Sequence, residues 1–489
     1  MKKMSVLLAL SATCSLLFST FNAANAASVD QVIVRQQWPW STDIKVEYRL
    51  SGTAGPVDIA VACFNGSTPL TVLDQKYAIS GDVHGVTDSA GTIVIDPKKA
   101  FGPGRIAFSD FRVELTASDS PTNVSDVIYR IFDLDDGSCT DVTRADLLNN
   151  RYGTYETSFA AIDPEFSTGL SDVIIWTGVT NNPVYKTSKL VMRKINARGR
   201  EWYTGSAAGE YTRHADSERR YLVELTNDYF ISVFKLTQAQ GEKIYGSNPS
   251  LANMFSDSPH RPFETITYSD VRGHYLDDST GDGEKINWPT NTQLHAVRDT
   301  SLLGKLRTKT GYEFEIPTEM QWEFACRAGT AGTMYTGDTL YSSSMTGQMA
   351  TVAGKISWPA ADMMQVTNEA TGAEAYVPQV VGRRAPNAFG LYDMLGNGVV
   401  WCLDCHNNDV NYFDADHPSF YGTAKLYEPQ GARFLNSNSL RVMRGQFPGF
   451  GGSGDDWSFV RSAKRMRSYV TRKDMMYCIR LTCPVGTTW

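Results

Sequence analysis

The chain has 489 residues, 42% apolar and 40 of them glycine, with a formal net charge of -7. It is too long for one core, so two or three domains are expected, and the apolar share excludes a disordered or collagen-like chain. The mildly acidic balance, with no basic patch, argues against nucleic acid as a partner.

Met1-Lys2-Lys3 gives a charged start to the apolar run MSVLLALSATCSLLFSTF, and Ala24-Asn25-Ala26 fits a small-residue cleavage site. Residues 1–26 are therefore expected to be a signal peptide cut after Ala26, delivering the mature chain to the periplasm, cell surface or medium. The run is short and interrupted for a membrane span, and no later stretch spans one. Ser11, three residues before Cys14, argues against a lipoprotein. Seven cysteines remain after cleavage: Cys63, Cys139, Cys326, Cys402, Cys405, Cys478 and Cys483. In an oxidising compartment disulfides are the default, and an odd count leaves one thiol free or paired outside the chain.

The first mature segment reads as all-β. In TDIKVEYRLSG, Ile44, Val46, Tyr48 and Leu50 alternate with Lys45, Glu47 and Arg49, the period of a half-buried strand. GPVDIAVACF, GTIVIDP, GRIAFSDFRVELTA and SDVIYRIFDL follow at short intervals, which predicts a β-sandwich over residues 27–140. Cys63 lies in one strand and Cys139 just after the last, so the two could staple it. Residues 141–180 read as a connector. Beyond it, FKLTQAQGEKIYG predicts a helix entered from Thr237, and QLHAVRDTSLLGKLRTKTG a second. IPTEMQWEFACRAGT is the best marked: Thr318 and Gln321 form a capping box, Pro317 precedes it, and Gly329 can end the helix. Trp322, Ala325 and Cys326 fall on one side.

Several motifs carry possible chemistry. Cys402-Leu403-Asp404-Cys405-His406 has the C-x-x-C-H form of a haem attachment site, and also fits a metal half-site or a redox dithiol. DDSTGDGE from Asp277 looks like a calcium loop, but counted from Asp278 it places Thr280 third and Pro289 twelfth, and the ligand code fails. No His pair has zinc-hydrolase spacing, and no Gly-x-Ser-x-Gly elbow occurs. GFGGSG from Gly449 lacks a following lysine and precedes Asp455 and Asp456, so it reads as a surface loop. Phe447, Phe450, Trp457 and Phe459 are interleaved with these glycines and aspartates. Such a segment makes a good contact surface, although Trp457 and Phe459 would equally suit core packing.

The ordered segments FKLTQAQ…GSNPS, EIPTEMQWEFACRAGT, PNAFGLYDMLGN, RVMRG and RSAKR resemble the formylglycine-generating enzyme (sulfatase-modifying factor) family over about residues 181–489. The resemblance implies an α+β, C-type-lectin-like domain with little regular secondary structure, preceded here by a β-domain outside the family pattern. It also implies oxidation of a sulfatase cysteine with copper and oxygen, a reaction that needs two close thiols as soft ligands. The family places that pair between an R-G-G-S turn and an R-S-x-x-R run. Here the segment from Arg441 to Arg465 contains no cysteine, and Val460 stands where the second thiol is expected. Cys478 and Cys483 share the spacing but sit on the closing strand YCIRLTCP, where residues five apart face opposite ways. Disulfides are expected for them, and copper is disfavoured.

Calcium is the family's other implied ligand. Its motif after Asn397 continues Val-Trp-Glu-Trp, whereas this chain has Gly398-Val399-Val400-Trp401. Losing the carboxylate weakens that site, and structural calcium stays a candidate cofactor. W-C-L-D-W-Y is usual in the family at the C-x-x-C-H string, so only Cys405 and His406 are new there, which argues against haem. The resemblance implies a Cys326–Cys402 pair, and a fold-buttressing role for Arg461 and Arg465. The family's scaffold is also used without catalysis, for ligand display. The expected protein is thus exported and two-domain, its larger domain binding a protein, peptide or glycan without catalysis. Phe447, Phe450, Asp455, Asp456, Trp457 and Arg461 are the candidate contacts, with buttressing favoured for Arg461. Two alternatives stand: a family oxidoreductase with a divergent metal arrangement, and a cell-surface structural or assembly protein.

Overall fold

The computed structural model describes residues 27–36, 41–53, 55–73, 78–83, 86–102, 107–119, 127–148, 151–158, 173–214, 217–273, 297–339, 346–358, 365–367, 374–406, 425–427, 440–445 and 459–488. The signal-peptide segment, the acidic stretch from Asp277, and Phe447, Phe450, Asp455, Asp456 and Trp457 lie outside the described residues.

The alternation read in TDIKVEYRLSG becomes a strand with one buried face. Strands β1 (Ser28–Gln36), β2 (Ile44–Ser51), β6 (Ala90–Ile95) and β5 (Ile79–Gly81) form one antiparallel sheet in that order. Strands β4 (Thr68–Leu70), β3 (Val57–Asn65) and β7 (Phe111–Asp119) form a second. Val46, Tyr48, Ile93 and Ile95 from the first sheet meet Val57, Ile59, Cys63 and Val113 from the second in one apolar core. This is the predicted sandwich.

Strand β8 (Val127–Asp133) does not belong to it. The sequence placed this segment with the sandwich, but it pairs antiparallel with β12 (Lys189–Ile195). It joins a five-stranded sheet ordered β23 (Thr482–Pro484), β15 (Tyr229–Ser232), β12, β8, β9 (Cys139–Thr143). The physical reason lies in its burial: Tyr129, Arg130, Ile131 and Phe132 are all buried, so β8 is covered on both faces. Within the stretch read as a connector, β10 (Glu156–Ser158) and β11 (Val173–Ile175) form a ribbon.

Three more sheets complete the larger domain. They are β13 (Glu201–Thr204), β14 (Tyr221–Glu224) and β19 (Lys425–Tyr427); the ribbon β16 (Gln365–Thr367) and β17 (Glu374–Tyr376); and β21 (Met466–Tyr469), β20 (Leu440–Arg444), β18 (Val399–Cys405) and β22 (Tyr477–Cys478). Strand β18 divides two cores by its period of two. Val400 and Cys402 face a cluster with Trp202, Trp322 and Phe324, while Val399, Trp401 and Leu403 face one with Phe132, Phe230 and Leu306.

Among the described residues four helices reach eight residues: α1 (Gln238–Tyr245), α2 (Leu302–Thr310), α3 (Glu319–Arg327) and α4 (Thr346–Ile356). Thr237 caps α1 and Thr318 caps α3 through reciprocal boxes with Gln240 and Gln321. Helix α2 starts later than its pattern predicted, because the Ser301 hydroxyl accepts from Gly304 N and fixes the first turn there. Helix α3 ends at Ala328, itself left-handed with φ 45°, one residue before the expected Gly329. No helix of the described residues is long and apolar enough to cross a membrane.

Candidate functional site

Helix α3 is buried along its whole length, charges included. Glu319 and Glu323 are one turn apart and share a face. The Arg465 guanidinium grips Glu319 in two bonds, 2.7 and 3.0 Å. Arg444, fully buried, lies 3.3 Å from Glu319, pairs with Glu323, and stacks 5.0 Å from the Trp322 ring centroid. Glu323 also accepts from Arg327 Nε at 2.9 Å, Thr204 Oγ1 at 2.9 Å and Gly205 N at 2.8 Å. Next to this cluster Arg461 bonds Glu218 at 2.8 Å and Glu210 at 3.1 Å. Four carboxylates thus meet four guanidiniums, and forked hydrogen bonds meet the cost of burying them. Burial lowers the Arg461 pKa, but the Glu218 and Glu210 carboxylates outweigh it and raise the pKa overall.

This network floors a shallow open cleft that encloses about 20 Å³, room for about one water molecule. Thr204, Ser217, Glu218, Glu319, Glu323 and Arg465 line it. Strand β13 supplies Thr204, the segment before β14 supplies Ser217 and Glu218, α3 supplies both glutamates, and the segment before β21 supplies Arg465. Of this lining Ser217 and Arg465 are part-exposed, while Thr204, Glu218, Glu319 and Glu323 lie buried beneath them. Among the described residues no cluster of His, Cys, Asp and Glu suits a metal ion.

Behind the cleft, Asp404 accepts from Glu319 N, at the first turn of α3, at 2.6 Å. Burial and then the neighbouring Glu319 charge raise Asp404 to about 7. Burial, with Arg465 and Arg467, lowers the His406 ring to about 3. Cys402 is wholly buried in the first core. Its sulfur is therefore not presented to a haem, and the C-x-x-C-H string does not fit that group.

No disulfide joins the cysteines whose side chains are described: Cys63, Cys139, Cys326, Cys402, Cys478 and Cys483 are free thiols. Cys63 faces the sandwich core, while Cys139 is exposed on β9 in a different sheet, 3.3 Å from the Tyr312 hydroxyl. Cys326 shares the first core with Cys402 without bonding to it, and its sulfur lies 3.9 Å from Ser462 Oγ. Cys478 and Cys483 occupy different sheets and different cores. Burial raises Cys326 and Cys478 to about 12 and Cys63 to about 11. Thiols held protonated by burial are poor ligands for a copper ion.

The turn Gly396-Asn397-Gly398 does not fit calcium either. Lys235 Nζ donates to the carbonyls of Gly396 at 2.7 Å, Asn397 at 3.2 Å and Gly398. Asn397 Oδ1 is taken by Gln379 N at 2.6 Å, and Val400 is an apolar core residue.

Of the residues singled out from the sequence, Arg461 takes the holding role, buried beneath two carboxylates, and Val460 fills the first core. The cleft and its glutamates were missed. Their signal was present, since Glu319 and Glu323 stand among Met320, Trp322, Phe324 and Ala325 in the best-marked helix.

A family model described as "Sulfatase-modifying factor enzyme 1-like domain" matches residues 200–483. A protein named "Chaperone protein LppX" from Paenibacillus barcinonensis is 24% identical over 253 residues, spanning 43% of this chain and 81% of that protein. PvdO from Pseudomonas aeruginosa superposes with TM-score 0.38 at 19% identity, covering 60% of this chain and 94% of its own. Variable protein 1 of Treponema denticola superposes with TM-score 0.38 at 17% identity, covering 68% and 99%.

Proposed function

The chain belongs to the sulfatase-modifying factor enzyme 1-like family, and from that premise we propose that it is an exported, non-catalytic binding protein whose cleft on α3 seats a polar protein, peptide or glycan ligand. The observation that carries this reading is the state of the thiols. No cysteine lies between Asp409 and Tyr477 in the sequence, and those described elsewhere are, apart from Cys139, buried. The cleft supports it from the other side, because its glutamates and arginines are committed to one another and offer a pre-organised surface rather than a reactive group. Similarity to a protein named as a chaperone points the same way, toward engagement of another polypeptide.

The test has two arms. Mature protein, copper and a sulfatase-type cysteine peptide are incubated, and the peptide mass is followed; no aldehyde is expected, and clear conversion would sink the reading. In the second arm a peptide and glycan array identifies a ligand, and Ser217→Trp is used to fill the cleft without touching the ion pairs. Binding should be lost; a ligand bound equally by this variant would remove the cleft as its seat. Export is checked by sequencing the N-terminus of the mature chain, expected at Ala27.

A further inference from the structure

Three backbone carbonyls seldom point at one place in a protein interior, because their oxygen dipoles repel. At Gly396, Asn397 and Gly398 the φ angles are 84°, 56° and 91°, all left-handed. The three carbonyls converge on Lys235 Nζ. An ammonium carries three donors and no acceptor, so donor and acceptor numbers match. The turn is held from outside as well. Asn397 closes a two-bond ring with the backbone of Gln379, at 2.6 and 3.0 Å. Side chains are excluded at both glycines: a Cβ on Gly396 would meet Ser357 Oγ at 2.0 Å, and one on Gly398 would meet Cys478 Sγ at 2.5 Å.

Lys235 sits between Phe234 and Leu236, just past β15, with 1% of its surface exposed. Burial lowers its pKa to about 8, which leaves it charged at neutral pH. The Asp393 carboxylate supports the charge, and the Arg480 guanidinium opposes it. A buried ammonium is costly unless its surroundings require a cation, and the carbonyl cluster supplies that requirement.

We propose that Lys235 is the resident cation of the Gly396–Gly398 turn, taking the structural place of a calcium ion, so that the fold keeps this turn without metal. The proposal does not depend on the binding reading. Oxygen cages of this kind suit hard cations; here the oxygens are already bonded to a side chain of the same chain.

The experiment measures thermal unfolding of the mature protein and of Lys235→Ala, each in chelator and in millimolar calcium. The parent should melt at the same temperature in both. Lys235→Ala should melt roughly 5–10 °C lower in chelator and regain part of that loss in calcium, because the vacated cage then accepts the ion. A calcium response in the parent as large as that of the variant would overturn the proposal, since the ion would then bind despite the lysine. If Lys235→Ala does not fold, reductive methylation of the native parent decides the matter. Lys235 should stay unmodified until the protein is unfolded, and methylation at the rate of the surface lysines would overturn the assignment.

Discussion

In the sandwich, β2, β3 and β6 bury Val46, Ile59 and Ile93 and leave their charges outside, as in the Lys45–Glu47 pair, whose side chains are 37% and 30% exposed. Around α3 the arrangement is reversed. Arg444, Glu319 and Glu323 are 0%, 0% and 2% exposed and lie beside Trp322 in the middle of the domain. The difference teaches that charge is incidental to the first body and structural in the second. Removing a cation should therefore cost far more near α3 than trimming a methyl group costs in the sandwich.

Arg444→Met should show the largest effect. It leaves Glu319 and Glu323 short of a buried partner, and a loss of about 3–5 kcal/mol in denaturant unfolding is expected. A loss below about 1 kcal/mol would erase the contrast between the two bodies. Glu264→Gln comes next, with an effect that depends on pH. Glu264 is buried and held by Ala252 N at 2.8 Å and the Thr265 hydroxyl, and burial raises it from 4.5 to about 7. Folding therefore favours its protonated form. Its stabilising contribution is complete below pH 4.5 and is lost as the pH rises through 7. The glutamine cannot ionise, so the variant should match the parent near pH 4.5 and exceed it by up to roughly 3 kcal/mol at pH 8. A difference that stays constant across pH would show that Glu264 carries no unpaired charge. Ile93→Val, in the sandwich core, should be the mildest, about 1 kcal/mol. A loss comparable to that of Arg444→Met would mean that the sandwich tolerates change no better than the larger domain.

Much of the fold was legible where one residue's neighbours in sequence decide its state. The alternation of Ile44, Val46, Tyr48 and Leu50 fixed β2, and the Thr237–Gln240 and Thr318–Gln321 boxes fixed the starts of α1 and α3. Strand β8 was misplaced because its partner lies some sixty residues on, at Lys189–Arg193, and no local pattern announces a long-range pairing. The cleft was illegible for a related reason. Arg461 was marked as a buttress only through the resemblance, nothing local marks Glu218 or Arg444, and only the fold brings these charges together and buries them. The same holds for Lys235, whose partners are more than 160 residues away. The cysteines misled because export makes pairing the default, whereas Cys63 and Cys139, and likewise Cys478 and Cys483, stand in separate sheets, and Cys326 and Cys402 share a core as free thiols.

The five-stranded sheet runs from β9 and β8 through β12 and β15 to β23, and Arg130 on β8 donates to Val485 O at 3.0 Å beyond that last strand. Residues 130 and 485 thus close one structural loop around nearly the whole larger domain. A chain delivered N-terminus first, from a ribosome or through a membrane channel, brings the sandwich strands out together and lets that body fold early. The sheet beside it must wait, with the edge of β15 uncovered, until Thr482–Pro484 arrives. The larger domain is therefore timed by its final strand, and a stalled or clipped chain would present a finished sandwich joined to an open, adhesive sheet.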